Sequence, residues 1–80
     1  MKTIIYEPRA DKALSSLTPL VRMRVEDGIM RYAITGHGDV KAMKGRPVLR
    51  LRIGDYRVIF TEDMVVLDIM DVGHRSAIYE

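Results

Sequence analysis

The stretch Leu49-Arg50-Leu51-Arg52-Ile53-Gly54-Asp55-Tyr56-Arg57-Val58-Ile59-Phe60 constrains this chain more than any other, because its period of two and its central Gly-Asp call for a β-hairpin. Successive strand residues point to opposite faces, so Leu49, Leu51 and Ile53 go one way while Arg50 and Arg52 go the other. With Gly54-Asp55 as a two-residue turn, Arg52 faces Arg57, Arg50 faces Ile59 and Leu51 faces Val58. Two arginines directly opposite repel each other. Such a face either meets an anion or is the solvated outer side of a small sheet, and the pattern alone allows both.

The 80 residues suit one domain spanning 1–80, and a chain of this size buries only about 60% of the surface its unfolded form exposes. There is no cysteine, so disulfides and thiolate metal sites are excluded, and the two histidines, His37 and His74, are too far apart in sequence to suggest a ligand cluster. No metal or cofactor is expected. The N-terminus Met1-Lys2-Thr3-Ile4-Ile5-Tyr6-Glu7-Pro8 has no long apolar run, and no stretch approaches the roughly 20 apolar residues that cross a bilayer. The expectation is a soluble cytoplasmic protein with no membrane partner.

The net charge is only +2, but it is unevenly spread. Lys41, Lys44, Arg46, Arg50, Arg52 and Arg57 fall in a segment whose single acid is Asp55, while Glu62, Asp63, Asp68 and Asp71 collect beyond it. This is the electrostatic footprint of a phosphate-bearing partner or of an acidic peptide.

Around the hairpin, Thr3 to Tyr6 reads as a short strand closed by Glu7-Pro8. Ala10, Ala13, Leu14 and Leu17 recur at helical spacing behind Pro8, predicting a brief amphipathic helix. A second helix starts with Thr18 as N-cap and Pro19 in the first turn, and stops at Gly36. Its core stripe is Val21, Val25, Ile29, Tyr32 and Ala33. Met23, Met30 and Ile34 sit off the main stripe and widen the apolar face, and Met23 and Met30 are expected to pack pliably in the core rather than to line an exposed partner groove. Gly28 in mid-helix costs about 1 kcal/mol against alanine, which close packing of another backbone would explain.

Gly36 to Asp39 reads as a loop in which His37 is solvated, and Val40 to Pro47 as a mobile basic connector. Three strands follow, at 48–53, 56–61 and 64–72, with Glu62-Asp63 as the second tight turn. That turn would pair Phe60 with Val65, Val58 with Leu67 and Tyr56 with Ile69, and would put Arg57 opposite Asp68. The predicted fold class is α+β, in the order βααβββ, with two N-terminal helices packed on one face of a small antiparallel sheet.

The open face of that sheet would carry Arg50, Arg52, Arg57 and Asp68, with the tail Val72 to Tyr79 bending at Gly73 to lie nearby. One histidine, one tyrosine and several arginines can perform phosphodiester chemistry by protein groups alone. Histidine titrates near neutrality and exchanges protons, arginine grips phosphate oxygens in a fork, and tyrosine stacks on a base or supplies a hydroxyl. Each also has a plain structural use: a surface histidine, a ring packed on the sheet, an ordinary cross-strand ion pair.

Arg50-Leu51-Arg52-Ile53-Gly54-Asp55-Tyr56-Arg57-Val58-Ile59-Phe60, followed by Val72-Gly73-His74-Arg75 and an Ile78-Tyr79 ending, resembles the RelE/ParE superfamily of toxins from type II toxin–antitoxin systems. The likeness runs through nearly the whole chain in element order and is nearest to the RelE branch of mRNA interferases. It implies a metal-independent, ribosome-dependent endoribonuclease in which the ribose 2′-OH attacks the adjacent phosphodiester. The ParE branch implies the alternative, inhibition of DNA gyrase by protein binding without cleavage. By the resemblance, Arg57, His74, Arg75 and Tyr79 are the catalytic positions, and Lys44, Arg46, Arg50 and Arg52 hold the substrate. The implied partners are a cognate antitoxin, and the ribosome with its mRNA, or gyrase in the alternative. Val48 stands where RelE has a second catalytic lysine, and Asp68 where an apolar residue is usual.

Overall fold

The hairpin forms in the register its sequence requires, with Arg52 opposite Arg57, Arg50 opposite Ile59 and Leu51 opposite Val58. In the computed structural model, which describes residues 1–78, the element order is β1 (Thr3–Tyr6), α1 (Pro8–Ser15), α2 (Pro19–Thr35), β2 (Asp39–Ala42), β3 (Leu49–Ile53), β4 (Tyr56–Glu62) and β5 (Val66–His74). The strands form one sheet in the order β1-β5-β4-β3-β2. The α+β class and the helix-on-sheet layering are as the periodicity predicts, with two additions.

The first addition is β2, in the segment expected to be a mobile connector. It pairs antiparallel with β3, setting Lys41 opposite Arg50 and Val40 opposite Leu51. Val40 is its one residue packed on the core, too little periodicity to show in sequence, so the strand owes its existence to the free edge of β3. Gly38 leads into it where a Cβ would lie 2.8 Å from Leu51 Cδ1. The second is the direction of β1, which runs parallel to β5 and so makes the sheet mixed. Both helices lie in the crossover between β1 and the rest of the sheet, the kind of long connection that parallel placement requires.

The second turn differs from expectation, and its chemistry explains why. Asp63 Oδ1 accepts hydrogen bonds from the backbone N–H groups of Val65 at 2.7 Å and Val66 at 2.6 Å, an aspartate turn that keeps Met64 and Val65 out in solvent. Those same bonds hold the Asp63 carboxyl below the usual aspartate range. Strand β5 therefore begins at Val66, and Phe60 pairs with Ile69 rather than Val65. A bulge between Ile59 and Phe60 then advances the register, so Val58 meets Val72, Arg57 meets Gly73 and Tyr56 meets His74. Asp68 lies opposite Thr61, not Arg57.

Both helices cover one face of the sheet. Phe60, Leu14, Ile29, Leu67, Ile69, Val25 and Val58 are fully buried there, each side chain stabilising the fold by about 1.5–3 kcal/mol through transfer from water. Ala10 and Leu14 of α1, and Val25, Ile29 and Ala33 of α2, form the helical half of this core. Met23 and Met30, expected to join it, are exposed with Ile34 on the flank of α2. The stripe from Val21 to Ala33 already fills the space above the sheet. Thr18 occupies the N-cap position without a side-chain cap, and Gly36 closes the helix in the left-handed conformation, φ 73°, its N–H bonded to the Tyr32 carbonyl.

At the end of β4 remote from the hairpin turn, Tyr32 Oη donates to Glu62 Oε1 at 2.7 Å and Lys2 Nζ meets Glu62 Oε2 at 3.0 Å. One carboxylate thus ties α2 and the chain's start to the central strand. Burial, then the hydrogen bond to Glu62, pushes the Tyr32 hydroxyl up to about 12. A raised folded-state pKa contributes stability that is complete below the unfolded value of 10.0 and is lost as pH rises through about 12. The stability advantage of wild type over Tyr32→Phe in urea unfolding should accordingly hold at neutral pH and shrink across that alkaline interval. A second expectation concerns Gly28, where a Cβ would lie 2.6 Å from Ile53 Cδ1, a side chain rather than the expected backbone. Gly28→Ala should leave stability unchanged or lower it, whereas the same change in an Ile53→Ala background should raise it by about 1 kcal/mol, the normal helix gain.

Candidate functional site

Strand alternation puts the chain's basic groups on the sheet face away from the helices. Val40, Leu49, Leu51, Ile53, Tyr56 and Val58 join the helix-side core, so Lys41, Arg50, Arg52 and Arg57 project from the other side. The register arranges them in two cross-strand rows. Lys41, Arg50 and Ile59 form one, and Asp39, Arg52, Arg57 and Gly73 the other. Asp39 opposite Arg52 offsets part of the repulsion between the two arginines, a compensation hidden while the connector was read as a loop.

This face also has an apolar portion of its own. Met43, Val48 and Ile59 are buried together against Met70 and Ile78. The bulge supplies Met70 to this cluster while letting Ile69 and Val72 both face the helices. The chain after β5 folds back to bring Ile78 over Gly73, where a Cβ would stand 3.0 Å from Ile78 Cβ. The bend predicted at Gly73 is therefore a close approach of the tail, which only a glycine admits without displacement.

Arg57 is the most enclosed of the cations, with 8% of its surface exposed. Its Nη1 donates to the carbonyls of Gly54 and Tyr56, each at 3.2 Å, so the guanidinium is aimed at the hairpin turn. Arg75 reaches the same turn: its backbone N–H donates to the Asp55 carbonyl at 2.7 Å, and its Nε lies 3.5 Å from Asp55 Oδ1. His74 completes the group, its imidazole meeting the Tyr56 ring edge-on at 5.4 Å and 89°. Three of the four residues expected to be catalytic thus converge on the consecutive residues Gly54, Asp55 and Tyr56. They do so from two sides, because His74 stands with Tyr56 on the helix side of the sheet and Arg57 on the other. The fourth, Tyr79, lies outside the described residues.

The expected substrate-holding residues are spread further along the basic face. Lys41, Lys44 and Arg50 line a depression of about 250 Å³ at the β2–β3 edge. Arg46 lines a separate depression of about 320 Å³ with Arg9, Asp71 and Ile78. Arg52 is exposed beside the hairpin turn. Lys41 belongs with this set although the motif reading left it out; its place became visible only when β2 aligned it with Arg50. Ser76, whose backbone N–H donates to His74 Nδ1, was also missed, and its one sequence signal is its spacing two residues after His74.

Asp68 does not neutralise Arg57 as expected. It lies toward β1 instead, in register with Ile5, and one of its oxygens is buried without a hydrogen-bond partner among the described residues. A hydrogen bond to Asp68, reinforced by its charge, raises the Glu7 carboxyl above the usual glutamate range. Asp71 salt-bridges to Arg9, with 3.3 Å between Oδ2 and Nε. Asp68 and Asp71 thus lie on the β5 side of the face, and Lys41, Arg50, Arg52 and Arg57 on the β2–β4 side with Asp39 among them. Among the described residues no group of histidine and carboxylate ligands is arranged to hold a metal, and no helix is long and apolar enough to cross a membrane.

The fold of two helices on a mixed five-stranded sheet is shared with solved toxins of toxin–antitoxin complexes. The chain matches the RelE–RelB complex from Pyrococcus horikoshii OT3 at 23% identity, covering 96% of this chain and 98% of that one, with a TM-score of 0.77. It matches the RelBE2 toxin–antitoxin complex from Mycobacterium tuberculosis at 20% identity, covering 92% and 98%, with a TM-score of 0.76. The RelB–RelE antitoxin–toxin complex from Methanococcus jannaschii matches at 22% identity, covering 94% of each chain, with a TM-score of 0.74. A comparison with curated proteins finds no significant match. At the level of sequence, residues 4–79 match the family described as ParE toxin of type II toxin-antitoxin system, parDE. The chain belongs to that family, and so to the RelE/ParE superfamily of type II toxins.

Proposed function

We propose that this toxin is an endoribonuclease that cleaves mRNA on the ribosome, in the manner of the RelE branch. The observation that carries the reading is the convergence of Arg57, His74 and Arg75 on the Gly54–Tyr56 turn, at the end of a face lined by Lys41, Arg50 and Arg52. That arrangement supplies what attack by a ribose hydroxyl requires: cations for a phosphate that gains charge and a group able to take a proton.

In this mechanism Lys41, Lys44, Arg46, Arg50 and Arg52 hold the RNA backbone along the outer face and bring one phosphate to the rim at the turn. His74 takes the proton of the 2′-OH as O2′ bonds to phosphorus. Arg57 and Arg75 stabilise the pentacoordinate phosphorane. The P–O5′ bond then breaks, its electron pair leaving on O5′, which takes a proton from water. The products are a 2′,3′-cyclic phosphate and a 5′-hydroxyl, and His74 returns its proton to solvent. Tyr79 orients the nucleotide. The cations contribute electrostatically, by the same logic as any preorganised site for a developing anion.

The partners are the ribosome with its mRNA and a cognate antitoxin, all in the cytoplasm. A basic face of this kind is neutralised best by an acidic or apolar segment crossing it. A second reading draws on one specific observation, that His74 stands on the opposite side of the sheet from Arg57. A protein that only docks its arginines on DNA gyrase needs no proton acceptor beside them.

Mapping mRNA 5′ ends during expression distinguishes the two, since cuts at fixed codon positions belong to the nuclease, and intact messages with DNA-damage signalling to the gyrase inhibitor. Arg57→Ala and His74→Ala should each relieve growth arrest, with cleavage falling by about a hundredfold or more for loss of a proton-transfer group; full arrest in both variants would exclude the chemistry. Binding of a single-stranded RNA to Lys41→Ala should also show a slope of log K against log salt shallower by about 0.7, the value for one lost phosphate contact.

A further inference from the structure

The outer face carries a second cationic feature near the start of α1, one that the hairpin motif does not contain. Ile59 and Asp71 are cross-strand partners and extend the row of Lys41 and Arg50 onto β5. Beyond Ile69 that strand has no β1 residue paired with it. Arg9, in the first turn of α1, meets Asp71 there, with Nε 3.3 Å from Oδ2. The depression of about 320 Å³ lies beside this pair, lined by the apolar Ile59, Met70 and Ile78 and by Arg9, Arg46 and Asp71. Ile59 is buried while Arg9 and Arg46 are exposed, so the apolar groups form the floor and the arginines the rim.

We propose that this depression takes one nucleotide of a single-stranded RNA, its base lying on Met70 and Ile78 and its phosphate held by Arg9 and Arg46. The inference rests on the reading of the basic face as a surface that holds RNA. A nucleotide joins a flat ring to an anion, and an apolar floor under a cationic rim complements both parts. Asp71 fixes the rim. Its Oδ1 accepts from the Val72 N–H at 2.9 Å and its Oδ2 meets Arg9 Nε, so the carboxylate is held by its own strand and in turn orients the arginine. Among the described residues Asp71 is the one charged partner of Arg9, which leaves both Nη groups for a phosphate fork. A volume of about 320 Å³ is at the small end of ligand sites, which suits one base and not a stack of several. With both Asp71 oxygens engaged, the pocket meets a base by its face rather than its edge, so all four bases enter. The row of Ile59 and Asp71 lies two residues along β4 from that of Arg57 and Gly73, a distance of about 7 Å. The nucleotide held here is therefore a near neighbour of the one at the hairpin turn.

The test follows the methyl groups of the floor. In toxin labelled with 13C at its methionine and isoleucine methyls, a short single-stranded RNA at saturation should shift the Met70 and Ile78 signals. Those of Met23 and Met30, exposed on α2, should stay in place. An abasic chain with the same number of phosphates should bind less tightly and move Met70 and Ile78 little. Arg9 is exposed, so Arg9→Ala keeps the fold. That variant should bind the RNA about tenfold less tightly, as for loss of one charge-assisted contact, with a slope of log K against log salt shallower by about 0.7. Met70 and Ile78 signals unmoved by saturating RNA, or equal affinity in Arg9→Ala and wild type, would overturn the proposal. Signals that move with an acidic peptide but not with RNA would overturn it too, and assign the depression to a protein contact. The expected shifts in a toxin whose expression leaves messages intact would uphold the pocket and count against the nuclease reading. Cuts at fixed codon positions with unmoved methyl signals would do the reverse.

Discussion

The pairing of β4 with β5 is the interaction on which the other features depend. Two local events set it: the Asp63 carboxylate capping the N–H groups of Val65 and Val66, and the bulge between Ile59 and Phe60. The first delays the start of β5 and the second adds a residue, so the strand reaches the hairpin turn with Gly73 beside Arg57 and His74 beside Tyr56. A one-residue slip in this ladder would exchange every side chain between the two faces. It would put the imidazole in the place of a glycine and lose the contact with Tyr56. The bulge also lets one strand serve two clusters, sending Ile69 and Val72 toward the helices and Met70 toward the outer face.

That outer face is therefore not simply solvated. Its middle is closed by Met43, Val48, Ile59, Met70 and Ile78, while its charged residues sit around this small apolar patch. Burial of a guanidinium is costly unless its donors are satisfied, and the two carbonyls at the hairpin turn provide partners for Arg57. The result is a cation held in one orientation by backbone atoms. Preorganisation of this kind is what an electrostatic site needs, since a donor fixed in advance has no reorganisation to undergo when an anion arrives.

How much of this could be read from the sequence depends on the range of the signal. The β3–β4 hairpin was legible to the residue because its turn is two residues long and its period unbroken from Leu49 to Phe60. Both helices were legible from their prolines, from Gly36 and from the stripe of Val21, Val25, Ile29, Tyr32 and Ala33. What failed depended on partners distant in the chain. The Asp63 turn reads like a two-residue turn until the carboxylate is seen to take both N–H groups, and a bulge leaves no mark in an alternating pattern. Strand β2 packs only Val40 against the core. Met23, Met30 and Ile34 look like core in a helical projection, yet the sheet is too narrow to cover them. For the site, the residue types and their order were visible, but the two-sided approach of His74 and Arg57 was set by the β4–β5 register and could not be read before it.

The parallel seating of β1 against β5 has a temporal consequence. Thr3 to Tyr6 is made well before its hydrogen-bonding partner, Val66 to Ile69, with both helices and three strands between them. Contacts between such distant segments form late and demand that the intervening chain be closed first. During synthesis the N-terminal strand must wait unpaired, with Ile4 and Tyr6 lacking the sheet they pack on. A finished sheet, and with it the turn where Arg57, His74 and Arg75 meet, can exist only once β5 has been made and has paired on both its edges.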